Sequence, residues 1–288
     1  MEIDGRKIGP GEMVYIVAEA GVSHCGDVSR ALRLVDAAKN VGASAVKFQH
    51  WRTSRLLNPD SPMYRVLLPL ELSEGQFRAI KAHADEVGIT FLCTGDQAED
   101  VDFLDSIGVP AFKVGSGNLR DIAYLQHVGT KGKPVILSTG MGTMNDVRRA
   151  VNAIASGSYG GEQIALLHCA SIYPHDADGR TADPCPQNLR AIQTLAEFSY
   201  PVGLSDHSCS VEAAVAAVAL GASVYEAHLA LADGRPTGPD AAVSLLPTIF
   251  QRFVEAIRWT ETALGDGEKR VMPEELPARE YAETWRRG

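Results

Sequence analysis

Residues 90–138 read TFLCTGDQAEDVDFLDSIGVPAFKVGSGNLRDIAYLQHVGTKGKPVILS, and this stretch contains the pattern that decides the fold. Three short apolar runs, TFLCT, AFKVG and PVILS, are separated from one another by amphipathic stretches of helical periodicity. Apolar strands that alternate with helices are typical of a parallel sheet that is covered by helices on its outer face. The segment therefore predicts consecutive strand–helix units.

The same alternation extends along most of the chain. Further strands are predicted at 13–19, 45–49, 164–169, 201–205 and 223–229. Helices are predicted at 29–41, 73–87, 96–107, 121–130, 143–156, 187–198, 210–220 and 244–264. Eight consecutive units favour an α/β fold closed into a single-domain (β/α)8 TIM barrel over an open doubly wound sheet. We expect the barrel to occupy residues 1–265 and a C-terminal extension to occupy 266–288.

Composition and charge exclude several classes of protein. The chain is 45% hydrophobic and 22% charged, which is typical of folded globular proteins, and its net charge of −9 argues against nucleic-acid binding. We expect no secretion signal and no membrane contact, since no apolar run suits either. Five cysteines without a CxxC pair indicate reduced thiols and a cytoplasmic location.

Two connections, at 51–72 and 171–186, are longer than strand–helix units require. Both follow a strand, at the end of a barrel where function usually resides, so we expect them to shape the site or to cover it. A surface excursion without function is the alternative for each.

Polar side chains recur at the carboxyl end of every predicted strand, where barrel chemistry gathers. Lys and Glu are rarely buried without partners, so their position in apolar runs indicates a site. The strand-end residues are Glu19, Lys47, Gln49, Thr94, Lys113, Ser116, Ser138, Thr139, His168, Ser205, Asp206, His207, Glu226 and His228.

Two sets of these strand-end residues indicate binding sites, one for an anion and one for a metal. Lys47 and Lys113, together with the hydroxyl groups, predict a pocket for an anion that carries phosphate and carboxylate, although either lysine alone could extend its amine to solvent. His207 and His228 lie on neighbouring predicted strands and could share a divalent metal such as Mn, Fe or Zn. His168 suits the core as well as it suits a site, and Cys93 is expected to point towards the helices.

Longer segments resemble the N-acetylneuraminate (sialic acid) synthase family. They include IVAEAGVSHCGDVSRALRLVDAAKNVGASAVKFQ at 16–49, FKVGSGNL at 112–119, GKPVILSTGM at 132–141, LLHCASIYP at 166–174 and PVGLSDHS at 201–208. The segments occur in the family's order across nearly the whole chain. The resemblance implies a TIM-barrel homodimer that condenses phosphoenolpyruvate (PEP) with an aldehyde acceptor, which yields an α-keto acid and phosphate.

The resemblance also implies a role for individual residues. It predicts that the PEP site consists of Lys47, Thr94, Lys113, Ser116, Ser138 and Ser205. His207 and His228 resemble ligands of a divalent metal, usually Mn²⁺, with Mg²⁺, Co²⁺ or Zn²⁺ as alternatives. Glu19, His207 and Asp240 are the expected catalytic residues, and Gln49, Asn118 and Tyr173 are expected to bind the acceptor.

Several departures from the family pattern lie on the acceptor side. Asn118 stands where a glutamate is usual, Ile172 replaces an acidic residue, and the family's C-terminal antifreeze-like domain does not follow in this sequence. We therefore expect the acceptor to be the aldehyde of a sugar or of a sugar derivative such as a nucleoside, in preference to N-acetylmannosamine. A true N-acetylneuraminate synthase, a Schiff-base aldolase and a catalytically silent barrel that binds a phosphorylated ligand remain the alternatives.

Overall fold

A computed structural model describes residues 1–157, 163–172, 186–234 and 238–285, and it contains a closed barrel of eight parallel strands. An N-terminal hairpin, β1 (Glu2–Ile3) and β2 (Arg6–Lys7), precedes the barrel. The barrel strands are β3 (Tyr15–Gly21), β4 (Ala45–His50), β5 (Thr90–Gly95), β6 (Phe112–Val114), β7 (Val135–Ser138), β8 (Ile164–Cys169), β9 (Val202–Asp206) and β10 (Val224–Leu229). Each strand pairs in parallel with the next, and β10 pairs with both β9 and β3, which closes the ring. The predicted TIM barrel is confirmed.

Most of the described helices pack against the outside of the barrel. The helices are α1 (Val28–Asn40), α2 (Thr53–Leu56), α3 (Pro62–Leu67), α4 (Glu74–Val87), α5 (Ala98–Ser106), α6 (Ile122–Gly129), α7 (Met144–Gly157), α8 (Ala191–Leu195), α9 (Val211–Ala219), α10 (Pro247–Leu264) and α11 (Leu276–Trp285). Short 3-10 helices occupy Leu68–Leu70, Ser116–Asn118, Ala196–Phe198, Gly238–Val243 and Pro273–Glu275. A two-residue strand, β11 (Ser244–Leu245), pairs with β10.

Strand alternation separates two apolar layers. Outward side chains such as Ile16 and Val46 pack against the helices, whereas the inward side chains of Tyr15, Val17 and Leu92 fill the barrel. The hairpin adds Ile3 and Ile8 to this inner layer. The amino-terminal end of the barrel is therefore packed, and polar side chains collect at its carboxyl end.

One glycine permits the closure of the barrel. A Cβ atom at Gly203 of β9 would lie 2.2 Å from the carbonyl oxygen of Val224 and 2.7 Å from Cδ2 of Leu167. Neither distance is sterically acceptable. The strand therefore needs glycine at this position because its neighbour's backbone approaches so closely.

Both predicted ends of α4 agree with the structure, whereas two other predicted helices have different bounds. Ser73 and Gln76 form the capping box that starts α4, and Gly88 ends this helix in the left-handed conformation. The predicted helix at 187–198 is confined to α8 and the following 3-10 turn. The last helix starts at Pro247 instead of 244, because Ser244 and Leu245 pair with β10.

The 51–72 connection contains α2, α3 and a 3-10 turn instead of an irregular loop. Most of the 171–186 connection, residues 173–185, lies outside the described residues. The described part of the 266–288 extension is exposed along its whole length, including α11. Among the described helices, none combines the length and the hydropathy that a membrane span requires.

Candidate active site

A cavity of about 330 Å³ opens at the carboxyl end of the barrel. Its wall contains Glu19, Lys47, Gln49, Thr94, Asp96, Lys113, Gly115, Ser116, Gly117, Ser138, Met141, Cys169, Ser171, Ser205, His207, Glu226 and His228. A larger cavity of about 880 Å³ lies near the amino-terminal ends of β3 and β9, and its described lining contains no Lys, Arg or His. Barrel enzymes place their chemistry at the carboxyl face, so we assign the smaller cavity as the candidate site.

Two lysines and two glutamates form a buried ionic cluster on the cavity floor. Lys47 Nζ lies 2.7 Å from Glu19 Oε2 and 3.5 Å from Glu226 Oε2, and Lys113 Nζ lies 3.4 Å from Glu226 Oε1. Glu19 and Lys47 are register partners on β3 and β4, so strand pairing itself sets the shortest contact. The cluster is neutral when all four groups are ionised.

Hydroxyl groups surround the two ammonium groups. Lys113 Nζ donates to Ser138 Oγ at 2.8 Å, and Lys47 Nζ contacts Thr94 Oγ1 at 3.4 Å. Ser205 Oγ donates to Glu226 Oε1 at 3.0 Å. The hydroxyl of Ser116 also lines this cavity, so the six residues that the resemblance assigns to PEP lie around one space.

Burial and mutual charge set the protonation of the cluster. Burial raises the pKa of Glu19 to about 7, in spite of the adjacent Lys47. Burial alone would also raise the pKa of Glu226, but the charges of Lys113 and Lys47 outweigh it and lower that pKa to about 2. Burial lowers the pKa of Lys113, although Glu226 partly offsets the effect. Glu19 is thus the member of the cluster that exchanges a proton most readily near neutral pH.

Two imidazoles stand beside this cluster. The ring centroids of His207 and His228 are 5.4 Å apart. Buried His228 Nδ1 has no hydrogen-bond partner among the described residues, and Asp240 Oδ2 lies 4.0 Å from it. Burial, reinforced by the neighbouring His207, lowers the pKa of His228 to about 3, which keeps its ring neutral. Neutral imidazole is the form that binds metals.

The imidazole pair fits two ligands of a divalent metal, because an unpaired buried nitrogen faces a space that already contains carboxylate oxygens. Within the described ranges, no group of three or more His, Cys, Asp or Glu side chains is arranged to hold an ion.

The other predicted site residues differ in their placement. Gln49 lines the cavity, as alternation with Lys47 requires. Asn118 does not line it, because its Nδ2 donates to the main-chain oxygen of Asp96 at 3.1 Å. Tyr173 lies outside the described residues. His168 points outward and its Nε2 contacts the Gln187 carbonyl oxygen at 2.6 Å, a structural role that leaves it outside the site.

The cavity-wall residues that were absent from the predicted site include Cys169 and Asp96. Cys169 follows His168 on β8, and its Sγ lies 3.7 Å from His207 Nδ1. The same period of two that turns His168 outward turns Cys169 inward, so alternation along IALLHC contained the signal. Asp96 follows β5 in a turn, where strand alternation no longer predicts direction. Cys93, as predicted, packs in the outer layer.

Comparisons with known proteins agree with this geometry. The chain is 40% identical to N,N'-diacetyllegionaminic acid synthase of Legionella pneumophila, over 92% of this chain and 77% of that protein. It is 33% identical to human N-acetylneuraminate-9-phosphate synthase, over 96% of this chain and 78% of that protein. The crystal structure of an N-acetylneuraminic acid synthetase from Leptospira borgpetersenii superposes with a TM-score of 0.87 at 30% identity, over 100% of this chain and 98% of that chain.

The fold, the cavity and these relatives define an enzyme of the sialic acid synthase type, a transferase that forms carbon–carbon bonds. Within that class the family model matches residues 34–269. The chain belongs to the NeuB family.

Proposed function

We propose that this protein condenses PEP with the aldehyde group of a sugar or of a sugar derivative. C3 of PEP forms a bond with the aldehyde carbon, and the aldehyde oxygen takes a proton to become a hydroxyl group. Water adds to C2, the bond from C2 to the bridging oxygen breaks, and phosphate leaves. The product is an α-keto acid that is three carbons longer than the acceptor.

The buried lysines and hydroxyls support the PEP side of this proposal. Lys47 and Lys113 supply two ammonium groups, and Thr94, Ser116, Ser138 and Ser205 supply hydroxyl donors around the same cavity. Such donors suit the phosphate and carboxylate groups of PEP. The single observation that carries the proposal is the convergence of Lys47, Lys113, His207 and His228 on this one cavity.

The ionic cluster gives Glu19 a defined task. In the free site Glu19 and Glu226 balance the lysines, so an arriving trianion competes with them for the ammonium groups. Glu19 has a pKa of about 7 and can take up a proton at that moment, which releases Lys47 for the anion. The same carboxyl group can then give a proton to the aldehyde oxygen or receive one from water.

The metal would lie at His207 and His228. When bound, a divalent ion such as Mn²⁺ supplies Lewis-acid polarisation of the acceptor carbonyl and lowers the pKa of a bound water. Asp240, whose pKa burial raises, lies beside His228 and can hold a proton close to the same atoms. We also propose Gln49, which lines the same cavity, as an acceptor contact, and Tyr173 keeps the acceptor role that the resemblance implies.

A phosphate-release assay tests this function. The protein is incubated with PEP, Mn²⁺ and a panel of aldehydes that contains the aldoses N-acetylmannosamine, mannose and arabinose and the nucleoside aldehyde uridine 5′-aldehyde. PEP labelled with ¹⁸O at the bridging position should place the label in the released phosphate, because the C2–O bond breaks. Phosphate that appears without label, or no acceptor-dependent release, would overturn the proposal. Exclusive use of N-acetylmannosamine would support the alternative of a true N-acetylneuraminate synthase.

One observation favours a Schiff-base aldolase as the second candidate. Burial lowers the pKa of Lys113, and an amine with a lowered pKa is a better nucleophile towards carbonyl groups. Borohydride trapping of pyruvate on Lys113 would support this mechanism, whereas loss of activity in EDTA supports the metal-dependent one.

We further propose that the protein is a homodimer and that residues 266–288 are an extension outside the catalytic barrel. Trp259 on α10 and Trp285 on α11 are each 72% exposed, and aromatic side chains are enriched in protein–protein interfaces. Light scattering after gel filtration measures the mass, and a monomer at micromolar concentration would contradict this assembly.

A further inference from the structure

Asp96 carries a carboxylate that the proposed reaction does not yet use. It follows β5 and lies on the wall of the active-site cavity, in the same lining as Gln49 and Ser116. Within the part of the chain that the structure describes, its side chain has no hydrogen bond and no ion pair. The glutamates of the cavity floor differ in this respect, because Lys47 and Lys113 pair with them.

The backbone around Asp96 is fixed from two sides. Asn118 Nδ2 donates to the Asp96 carbonyl oxygen at 3.1 Å, and the Tyr124 hydroxyl donates to the carbonyl oxygen of the preceding Gly95. Gly95 itself packs tightly, since a Cβ atom there would lie 3.0 Å from Cβ of Asp100. These contacts hold the main chain of the turn in place. The Asp96 carboxylate therefore lies at the cavity wall in the ligand-free protein.

Neighbouring charges do not neutralise Asp96. Asp100, whose charge acts on Asp96, already has partners of its own, because His50 Nδ1 and Arg55 Nη2 contact its Oδ1 at 3.1 and 2.6 Å. Burial, followed by the charge of Asp100, raises the pKa of Asp96 to about 6, while Lys47 opposes the shift. The group is still mostly ionised at neutral pH. A partly buried carboxylate without donors is costly, and donors on a ligand would satisfy it.

We propose that Asp96 is a specificity-determining residue that accepts hydrogen bonds from hydroxyl groups of an uncharged polyhydroxy acceptor and excludes acceptors that carry a phosphate or a carboxylate at this wall. This assignment rests on the proposed function. The physical basis is that an ionised carboxylate accepts two hydroxyl donors readily, whereas it repels a second anion in a cavity with limited solvent. The Asn118 amide nitrogen is already bonded to the main chain, and Asn118 does not line the cavity. Asp96 does line it, so its carboxylate is the group that can accept hydrogen bonds from the acceptor's hydroxyl groups here.

The test compares neutral acceptors with their terminal phosphate esters. For the aldose that releases the most phosphate from PEP, kcat/KM is measured alongside that of the same aldose phosphorylated on its terminal hydroxyl. We expect the wild-type protein to prefer the neutral form at least tenfold. Asp96→Asn should lower kcat/KM for the neutral aldose about 10- to 100-fold and leave the KM for PEP within about twofold. The ratio of kcat/KM for the neutral aldose to kcat/KM for its phosphate ester should fall at least tenfold.

Glu99→Gln is the matched control, because Glu99 is an exposed acid at the start of α5 outside the cavity lining, and this variant should behave as wild type. A wild-type protein that uses the phosphorylated aldose equally well would overturn the assignment without any variant. If Asp96→Asn turns over and keeps the wild-type preference for the neutral aldose over its phosphate ester, the assignment of Asp96 is overturned while the proposed function stands. No release of phosphate with any aldose would instead overturn the proposed function, and this inference with it.

Discussion

The ammonium of Lys47 lies 2.7 Å from the carboxylate of Glu19, and both side chains are less than 5% exposed. The two residues are register partners on adjacent strands, so their contact is built into the barrel. Lys47, which the sequence predicts as a ligand of a bound anion, therefore already forms an ion pair with Glu19. Under the proposed function, an anion that binds here replaces Glu19 as the partner of Lys47.

The first prediction concerns this pair. Lys47→Met should lower the free energy of unfolding by about 3 kcal/mol, because it leaves Glu19 and Glu226 buried without one counter-charge. Adding Glu19→Gln should restore more than half of that loss, since it removes one of the orphaned charges. Urea denaturation of both single variants and the double variant measures the coupling. Strictly additive losses would show that the pair does not act as a unit.

A second prediction addresses PEP binding. Lys113→Met should weaken PEP binding at least about 100-fold, because one of the two ammonium groups of the cavity is lost. Lys131→Met removes a lysine that pairs with Asp102 on the outer surface, and it should bind PEP normally. Isothermal titration with PEP measures both. Equal affinities in the two variants would place PEP elsewhere.

Metal binding gives a third prediction. His228→Ala should lower the affinity for Mn²⁺ at least about tenfold, because it removes one of the two imidazoles at the site. His83→Ala, which removes a surface imidazole that contacts Asp36, is the control. Electron paramagnetic resonance of free Mn²⁺ reports binding without an activity assay. Unchanged affinity in His228→Ala would remove this residue from the metal site.

The fourth prediction is a loss of stability in acid that depends on His24. Burial, and then the charge of Arg30, lower the pKa of His24 from 6.5 to about 4, whereas Asp27 opposes the shift. Between these two pH values only the unfolded chain binds the proton, so stability is intact above about pH 6.5 and falls as the pH decreases towards 4.

Urea denaturation at pH 7.5 and 5.5 measures this loss of stability. The difference between the two pH values should be about 1 kcal/mol smaller in His24→Gln than in the wild-type protein. His127→Gln is the control, because that ring is partly exposed and contacts the surface residue Asp102. The same acid loss in His24→Gln as in wild type would show that His24 does not contribute.

A fifth prediction tests the closure of the barrel. Gly203→Ala should lower the free energy of unfolding by about 3 kcal/mol, because the new methyl group would collide with the β10 backbone at Val224. Gly75→Ala places the same methyl group near the start of α4, where the nearest atom is 4.0 Å away, and it should raise stability by about 0.5 kcal/mol. Equal effects of both changes on the urea midpoint would contradict the steric argument.

Much of the fold and part of the site could be predicted from local pattern. The alternation of strands and helices gave the barrel, and the period of two placed Lys47 with Gln49 and Glu226 with His228 on inward faces. The direction of a side chain is harder to predict where the chain leaves a strand. Asn118 turns its amide to the backbone of another loop, and Asp96 enters the cavity from a turn, because loop side chains take their direction from neighbours that are distant in sequence.

The sequence by itself determined that eight apolar strands carry polar residues at their carboxyl ends, since strand and helix periods are local properties of the chain. Only the tertiary structure decided which charges meet. Closure of the ring places β10 against β3 and β9, so Glu226 reaches Lys47 and Lys113 from the far end of the chain while Asp96 keeps no partner in the described structure. Pairing of buried charges depends on distances of a few ångströms, and those distances exist only after the barrel has closed.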